Sequence, residues 1–219
     1  MNARPVVKIC GITTAEGLGA AVAAGADMIG LVFFPPSPRH QAPDAAAALA
    51  ARAPAPSAGG PLRVGLFVDP TDDEIAAVLA ALPLHILQLH GSEPPERLAA
   101  LRTRFGLPLM KAIGIAVPAD LDAVDAYAPV ADHLLLDAKP PPDATRPGGN
   151  AGSFDWSLPA TRPIPRPWLL AGGLTPDNVA EALRISGAPG VDVSSGVERS
   201  RGVKDPALVQ RFVEAAILG

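Results

Sequence analysis

A lone cysteine, Cys10, and an aspartate, Asp137, each close a short apolar run, and such a pair could act as base and acid. Lys8 lies two residues before Cys10, on the same face if the run is a strand. Its ammonium could pull the thiol pKa down towards neutrality, or it could pair with an interior carboxylate. A lone buried cysteine is otherwise an inert small hydrophobe. Asp137 follows His133-Leu134-Leu135-Leu136, and the Ala138-Lys139-Pro140-Pro141 after it starts no helix, which weakens a capping role. Arg39 stands in the proline-stiffened Phe33-Phe34-Pro35-Pro36-Ser37-Pro38-Arg39 and could clamp a carboxylate. Two other runs end in small residues, Gly172-Gly173-Leu174-Thr175 and Ser194-Ser195-Gly196, whose backbone N–H groups could receive an anion. Each alone could be a tight turn. His90, in Gln88-Leu89-His90-Gly91, is either a pocket residue or a hydrogen-bonded wall residue. The other histidines, His40, His85 and His133, show no metal spacing, and no glycine-rich nucleotide loop is present.

Something must bring these scattered groups together. Apolar runs predict strands at Val6–Cys10, Met28–Phe33, Arg63–Val68, Ile86–Leu89, Leu109–Ile113, His133–Asp137, Trp168–Ala171 and Gly190–Val193. They are almost uniformly apolar, as strands buried on both faces are. Helix starts fall between them: capping boxes at Thr13-x-x-Glu16 and Thr71-x-x-Glu74, and a cap before proline at Thr175-Pro176 and Asp205-Pro206. The last helix should bury Leu208, Val209, Phe212, Val213, Ala216 and Ile217 on one face. Eight βα units of similar length close most simply into a (β/α)8 barrel, with an open doubly wound sheet as the alternative. In a barrel Cys10, Asp137, His90 and the two small-residue runs lie at strand C-terminal ends, Arg39 lies in the loop after strand two, His85 and His133 lie at strand starts and His40 in a loop, and the loops after strands seven and eight are a common phosphate site. Two units are longer. Ala53–Pro61 reads as a plain connector at the far end, whereas Ala138–Ser153 follows strand six and reads as a functional loop.

Composition sets the outer limits. The chain has 219 residues, 48% of them apolar, which is enough for one domain spanning 1–219 with a sizeable core. A net charge of −4 argues against nucleic acid as a partner. With two Trp and one Tyr there is no stacking platform for bases. One cysteine excludes an internal disulfide and any site built on two or more cysteines. No apolar run approaches the ~18 residues of a membrane span. Lys8 interrupts the N-terminal apolar stretch, so no signal peptide is expected and a cytoplasmic location is.

Taken in order, the motifs Val7-Lys8-Ile9-Cys10-Gly11-Ile12-Thr13, Gly30-Leu31-Val32-Phe33-Phe34-Pro35-Pro36-Ser37-Pro38-Arg39, Leu87-Gln88-Leu89-His90-Gly91, Leu135-Leu136-Asp137, Phe154-Asp155-Trp156, Gly172-Gly173-Leu174 and Val191-Asp192-Val193-Ser194-Ser195-Gly196-Val197-Glu198 resemble the phosphoribosylanthranilate isomerase family of tryptophan biosynthesis. The resemblance implies a single (β/α)8 TIM barrel of the ribulose-phosphate-binding type, with no cofactor or metal. It implies an Amadori rearrangement of a small phosphosugar–anthranilate substrate. Cys10 would be the general base and Asp137 the general acid. Arg39 would bind the anthranilate carboxylate, His90 would face the substrate, and Gly172, Gly173, Ser194, Ser195 and Gly196 would hold the phosphate. The acid would need a raised carboxyl pKa and the base a lowered thiol pKa. Two departures stand out: Gly148-Gly149-Asn150-Ala151-Gly152 is longer than the family's usual glycine turn, and Arg201 stands where a proline is common. A neighbouring sugar-phosphate isomerase or epimerase barrel would share the phosphate loops, and so would a non-catalytic phosphate-binding barrel. The Cys10/Asp137 pair argues against both. Oligomeric state is not legible.

Overall fold

Strands buried on both faces need partners on both edges and cover on both sides, and a closed barrel supplies them. The computed structural model describes residues 4–140, 148 and 152–219. In it β1 (Val6–Cys10), β2 (Met28–Val32), β3 (Leu62–Phe67), β4 (Ile86–Leu89), β5 (Leu109–Ile115), β6 (His133–Ala138), β7 (Trp168–Leu170) and β8 (Gly190–Val193) pair in parallel, in chain order, and close. Closure runs through β1 and β8, where Lys8 is opposite Asp192. The barrel resolves the open-sheet alternative, and the eight strands match the expected runs to within one or two residues at either end.

Around the barrel lie α1 (Ala15–Ala23), α2 (Pro43–Ala50), α3 (Asp72–Ala81), α4 (Pro95–Phe105), α5 (Ala123–Tyr127), α6 (Val179–Ser186) and α7 (Pro206–Leu218). The main core lies between strands and helices, with Ile9, Ile29, Leu87 and Leu134 on the barrel side and Leu18, Ile75, Leu98 and Phe212 on the helix side. A second core fills the barrel itself, built from Met28, Val64, Ile86, Met110, Leu135 and Leu169. These are the alternate residues of the same strands, so period two divides each strand between the two cores.

Several expectations are corrected. The sixth unit has a 3-10 turn, Leu158–Thr161, where a helix was expected. Pro159, Pro163, Pro165 and Pro167 explain it, because proline removes a helix donor and restricts the residue before it. The cap of α1 is Thr14, whose hydroxyl accepts from Gly17 N–H, and Thr13 instead donates to Gly202 O at 2.6 Å. α6 begins after Asn178 rather than at Thr175, because Asn178 Oδ1 accepts from Thr175 N–H and holds a turn ahead of the helix. Ile217 stays 36% exposed although its stripe neighbours Val209, Phe212, Val213 and Ala216 are buried. The Thr71 capping box and the Asp205 cap form as expected. Of the loop Ala138–Ser153, residues 141–147 and 149–151 lie outside the described residues, and with them most of Pro140-Pro141-Pro142 and of Gly148-Gly149-Asn150-Ala151-Gly152. The same holds for the first three residues of the N-terminal stretch. Among the described residues no helix is long and apolar enough to cross a membrane.

Candidate active site

One pocket opens at the C-terminal ends of the strands. Its lining includes Cys10, Arg39, His90, Asp137, Gly172, Gly173, Ser194, Ser195 and Gly196, so all nine residues singled out from the sequence meet there. Cys10 ends β1 and Asp137 lies in β6; counted through β8 and β7 they are three strands apart in a barrel of eight, and so face one another across the mouth. Val32, Leu66, Phe34 and Val68 form an apolar wall beside the thiol. Gly30 makes room for it, since a Cβ at that position would stand 2.7 Å from Cys10 Sγ.

The thiol sits in a charged but dry place. Lys8, on the same face one step below, is fully buried, and its Nζ donates to Asp192 Oδ1 at 2.8 Å. Burial works against the Lys8 ammonium, but Asp192 and the thiol outweigh it and the pKa is raised. Cys10 goes the other way from what its Lys8 neighbour led us to expect. Burial pushes the thiol up, Lys8 and Lys204 pull it down, Asp192 adds to the rise, and the net direction is upward. Sequence spacing shows the cation but neither the desolvation nor the competing carboxylate. Such a thiol is a thiolate more rarely at neutral pH, but each thiolate is a stronger base.

Asp137 is 9% exposed. Its Oδ1 accepts from Ala138 N–H at 2.8 Å, and its Oδ2 lies 3.3 Å from His90 Nε2. The close packing depends on Gly172, whose φ is +85° and whose Cβ would stand 2.7 Å from Ala138 N. Gly172 and Gly173 thus turn the chain sharply at the end of β7. Their N–H groups and that of Ser195, which opens the short 3-10 turn Ser195–Val197 after β8, have no acceptor among the described residues. The two loops together form a concave array of donors suited to an anion.

Arg39 is not the free clamp its loop implied. It is 4% exposed and forks onto Glu198, Nε to Oε1 at 2.7 Å and Nη2 to Oε2 at 2.9 Å. Among the described residues Nη1 makes no hydrogen bond, and Arg39 is one of the residues lining the pocket. Glu198 also accepts from Lys204 Nζ at 2.9 Å, and Lys204 donates in turn to Ser194 O at 2.8 Å. Burial pushes the Glu198 carboxyl up, but Arg39, Lys204 and the Gly202 N–H pull it down to about 2. Lys204 is lowered, chiefly by burial. One buried carboxylate therefore ties the β2 loop to the β8 loop.

Sequence reasoning quoted Asp192, Gln88 and Glu198 within motifs without giving them a role, and gave Lys204 none. Period two was the available signal for the first two: Asp192 is two residues from Ser194 and Gln88 two from His90, hence on the same inward faces. Nothing local marks Glu198 or Lys204.

The chain matches the family described as N-(5'phosphoribosyl)anthranilate (PRA) isomerase over residues 7–215. It is 59% identical over 210 residues to the N-(5'-phosphoribosyl)anthranilate isomerase of Paracoccus denitrificans, covering 96% of each chain. It is 58% identical to that of Rhodospirillum rubrum, again over 96% of each. The crystal structure of phosphoribosyl anthranilate isomerase from Thermotoga maritima superposes with a TM-score of 0.84 at 36% identity, covering 97% of this chain and 98% of that one. A phosphoribosyl anthranilate isomerase in complex with reduced 1-(o-carboxyphenylamino)-1-deoxyribulose 5-phosphate superposes at 0.82 with 34% identity, over 97% and 98%.

Proposed function

The chain belongs to the N-(5′-phosphoribosyl)anthranilate isomerase family, and on that premise we propose that Cys10 and Asp137 are the base and acid of its reaction. The reaction converts N-(5-phosphoribosyl)anthranilate to 1-(2-carboxyphenylamino)-1-deoxyribulose 5-phosphate, in tryptophan biosynthesis. The observation that supports the assignment best is the convergence of a buried thiol and a carboxyl from facing strands on one pocket, flanked by an anion cradle and a guanidinium.

The substrate phosphate is held by the N–H groups around Gly172, Gly173 and Ser195, with Ser194 and Gly196 shaping the loop. At the other end the anthranilate carboxylate meets Arg39 Nη1. Asp137 gives its proton to the furanose ring oxygen. The C1′–O bond breaks as the anthranilate nitrogen lone pair forms the C=N bond. Cys10 thiolate then takes the C2′ proton, and that electron pair closes a C1′=C2′ enolamine, which tautomerises to the ketone with the new proton at C1′. No redox partner is required, since the hydrogen lost at C2′ is balanced by the one gained at C1′. A catalytic thiol fits a reducing compartment, and we place the enzyme in the cytoplasm.

Steady-state turnover of freshly generated substrate, followed by loss of anthranilate-type fluorescence, tests the roles. Cys10→Ala and Asp137→Asn should each lower kcat by roughly 10²–10⁴-fold with KM held within a few-fold. Arg39→Ala should act mainly on KM. Near wild-type kcat in either of the first two removes that residue from the acid–base pair, and an unchanged KM in the third removes Arg39 from the clamp.

A further inference from the structure

Gln88 is a fully buried amide in β4, in register with Leu66 of β3 and Met110 of β5 and two residues below His90. Its Nε2 lies 3.0 Å from His90 Nδ1. With the amide nitrogen on this side Gln88 donates and Nδ1 accepts, and a neutral ring then carries its proton on Nε2. That nitrogen is the one 3.3 Å from Asp137 Oδ2. The other carboxylate oxygen, Oδ1, is already served by Ala138 N–H. Gln88 Oε1, meanwhile, is buried with no partner among the described residues. An apolar side chain would fill this position without that desolvation cost. The amide is kept at a cost to folding, and what it contributes is the orientation of one imidazole.

We propose that Gln88 is a positioning residue for proton transfer: it holds His90 as the Nε2–H tautomer and thereby aims a donor at Oδ2 of Asp137. The proposal rests on the reading of Asp137 as the acid. When the Asp137 proton passes to the ring oxygen, negative charge develops on the carboxylate. Ala138 N–H then meets one oxygen and His90 Nε2–H the other, both in place before the charge appears. The transferred proton comes from Asp137 alone, and His90 keeps its own. Gln88 does not line the pocket, so it acts on the rate and not on substrate contact.

The first test uses the wild-type enzyme. Nitrogen-15 NMR of the histidine-labelled protein at neutral pH should show His90 with Nδ1 bare and Nε2 protonated. Two variants follow. Gln88→Glu replaces the donor by an acceptor of the same shape and should move the proton of the neutral ring to Nδ1, leaving Nε2 bare. Gln88→Leu removes the partner altogether. Both should lower kcat by roughly tenfold or more while leaving KM within about twofold. A wild-type His90 protonated on Nδ1 overturns the proposal, and so does wild-type kcat in folded Gln88→Leu. Because the wild-type spectrum needs no variant, misfolding of either mutant leaves the test standing. An active Asp137→Asn would end the acid assignment while the tautomer result stood independently.

Discussion

As the proposed base, the Cys10 thiol has to become charged in surroundings that disfavour charge. Lys8 alone would make it acidic, but burial outweighs Lys8, and Asp192 has already claimed that ammonium. The consequence can be measured without substrate. The pH dependence of iodoacetamide alkylation of Cys10 should rise through a midpoint above the ordinary thiol value, with no plateau below about pH 8.5. A plateau near neutrality would mean that the charges beat desolvation. Lys8→Met removes the main favourable charge, so the midpoint should move higher still. The same residue-scale logic separates Asp137 from Cys10: the carboxyl meets Ala138 N–H and His90 Nε2, the thiol meets the ammonium groups of Lys8 and Lys204.

Among the elements, the decisive connection is the buried Glu198, which joins the Arg39 loop after β2 to Lys204 and the Ser194 turn after β8. Its carboxyl is held at about 2 in the folded chain, below its ordinary value of 4.5. A group depressed in this way stabilises the fold above its unfolded pKa, and the contribution is lost as pH falls through the folded pKa. Stability should therefore decline between about pH 4.5 and about pH 2 by about 3 kcal/mol from this residue. Urea unfolding across that window should show the slope in wild type and lose this part of it in Glu198→Gln. An identical slope in the variant would show that the folded carboxyl is not depressed. Elsewhere the elements start where local chemistry starts them, as at the Thr71 box, except where a more distant acceptor competes, as Gly202 O does for Thr13.

For the molecule as a whole, closure of the barrel depends on β1 meeting β8, and the pair that meets there is ionic. Lys8 and Asp192 are opposite in register and both lie inside the barrel, the lysine fully buried and the aspartate 7% exposed. Removing one partner strands the other, which costs about 3–5 kcal/mol, while replacing both by apolar residues of similar volume is often neutral. Lys8→Met should thus lower the unfolding free energy by about that much, and Lys8→Met with Asp192→Leu should recover most of it. Equal stability of the two variants would mean that the stranded Asp192 carboxylate is not the source of the loss in Lys8→Met.

Local information determined a good deal here. Short, uniformly apolar runs located the eight strands, and their even spacing favoured a barrel over an open sheet. Once the strands are fixed, Cys10, Asp137, Gly172 and Ser194 must stand at their C-terminal ends, so the lining of the candidate pocket was legible as a set of residues. What surrounds each of them was not. Arg39 finds Glu198 across 159 positions, and Lys8 finds Asp192 across 184. The rise in the thiol pKa, the Gln88 oxygen that has no partner among the described residues and the 3-10 turn in place of a sixth helix belong to the same class. Period and propensity act over a few residues and can be read along the chain. Burial and charge pairing are set by residues that only closure of the barrel brings together, so only the tertiary structure decides them.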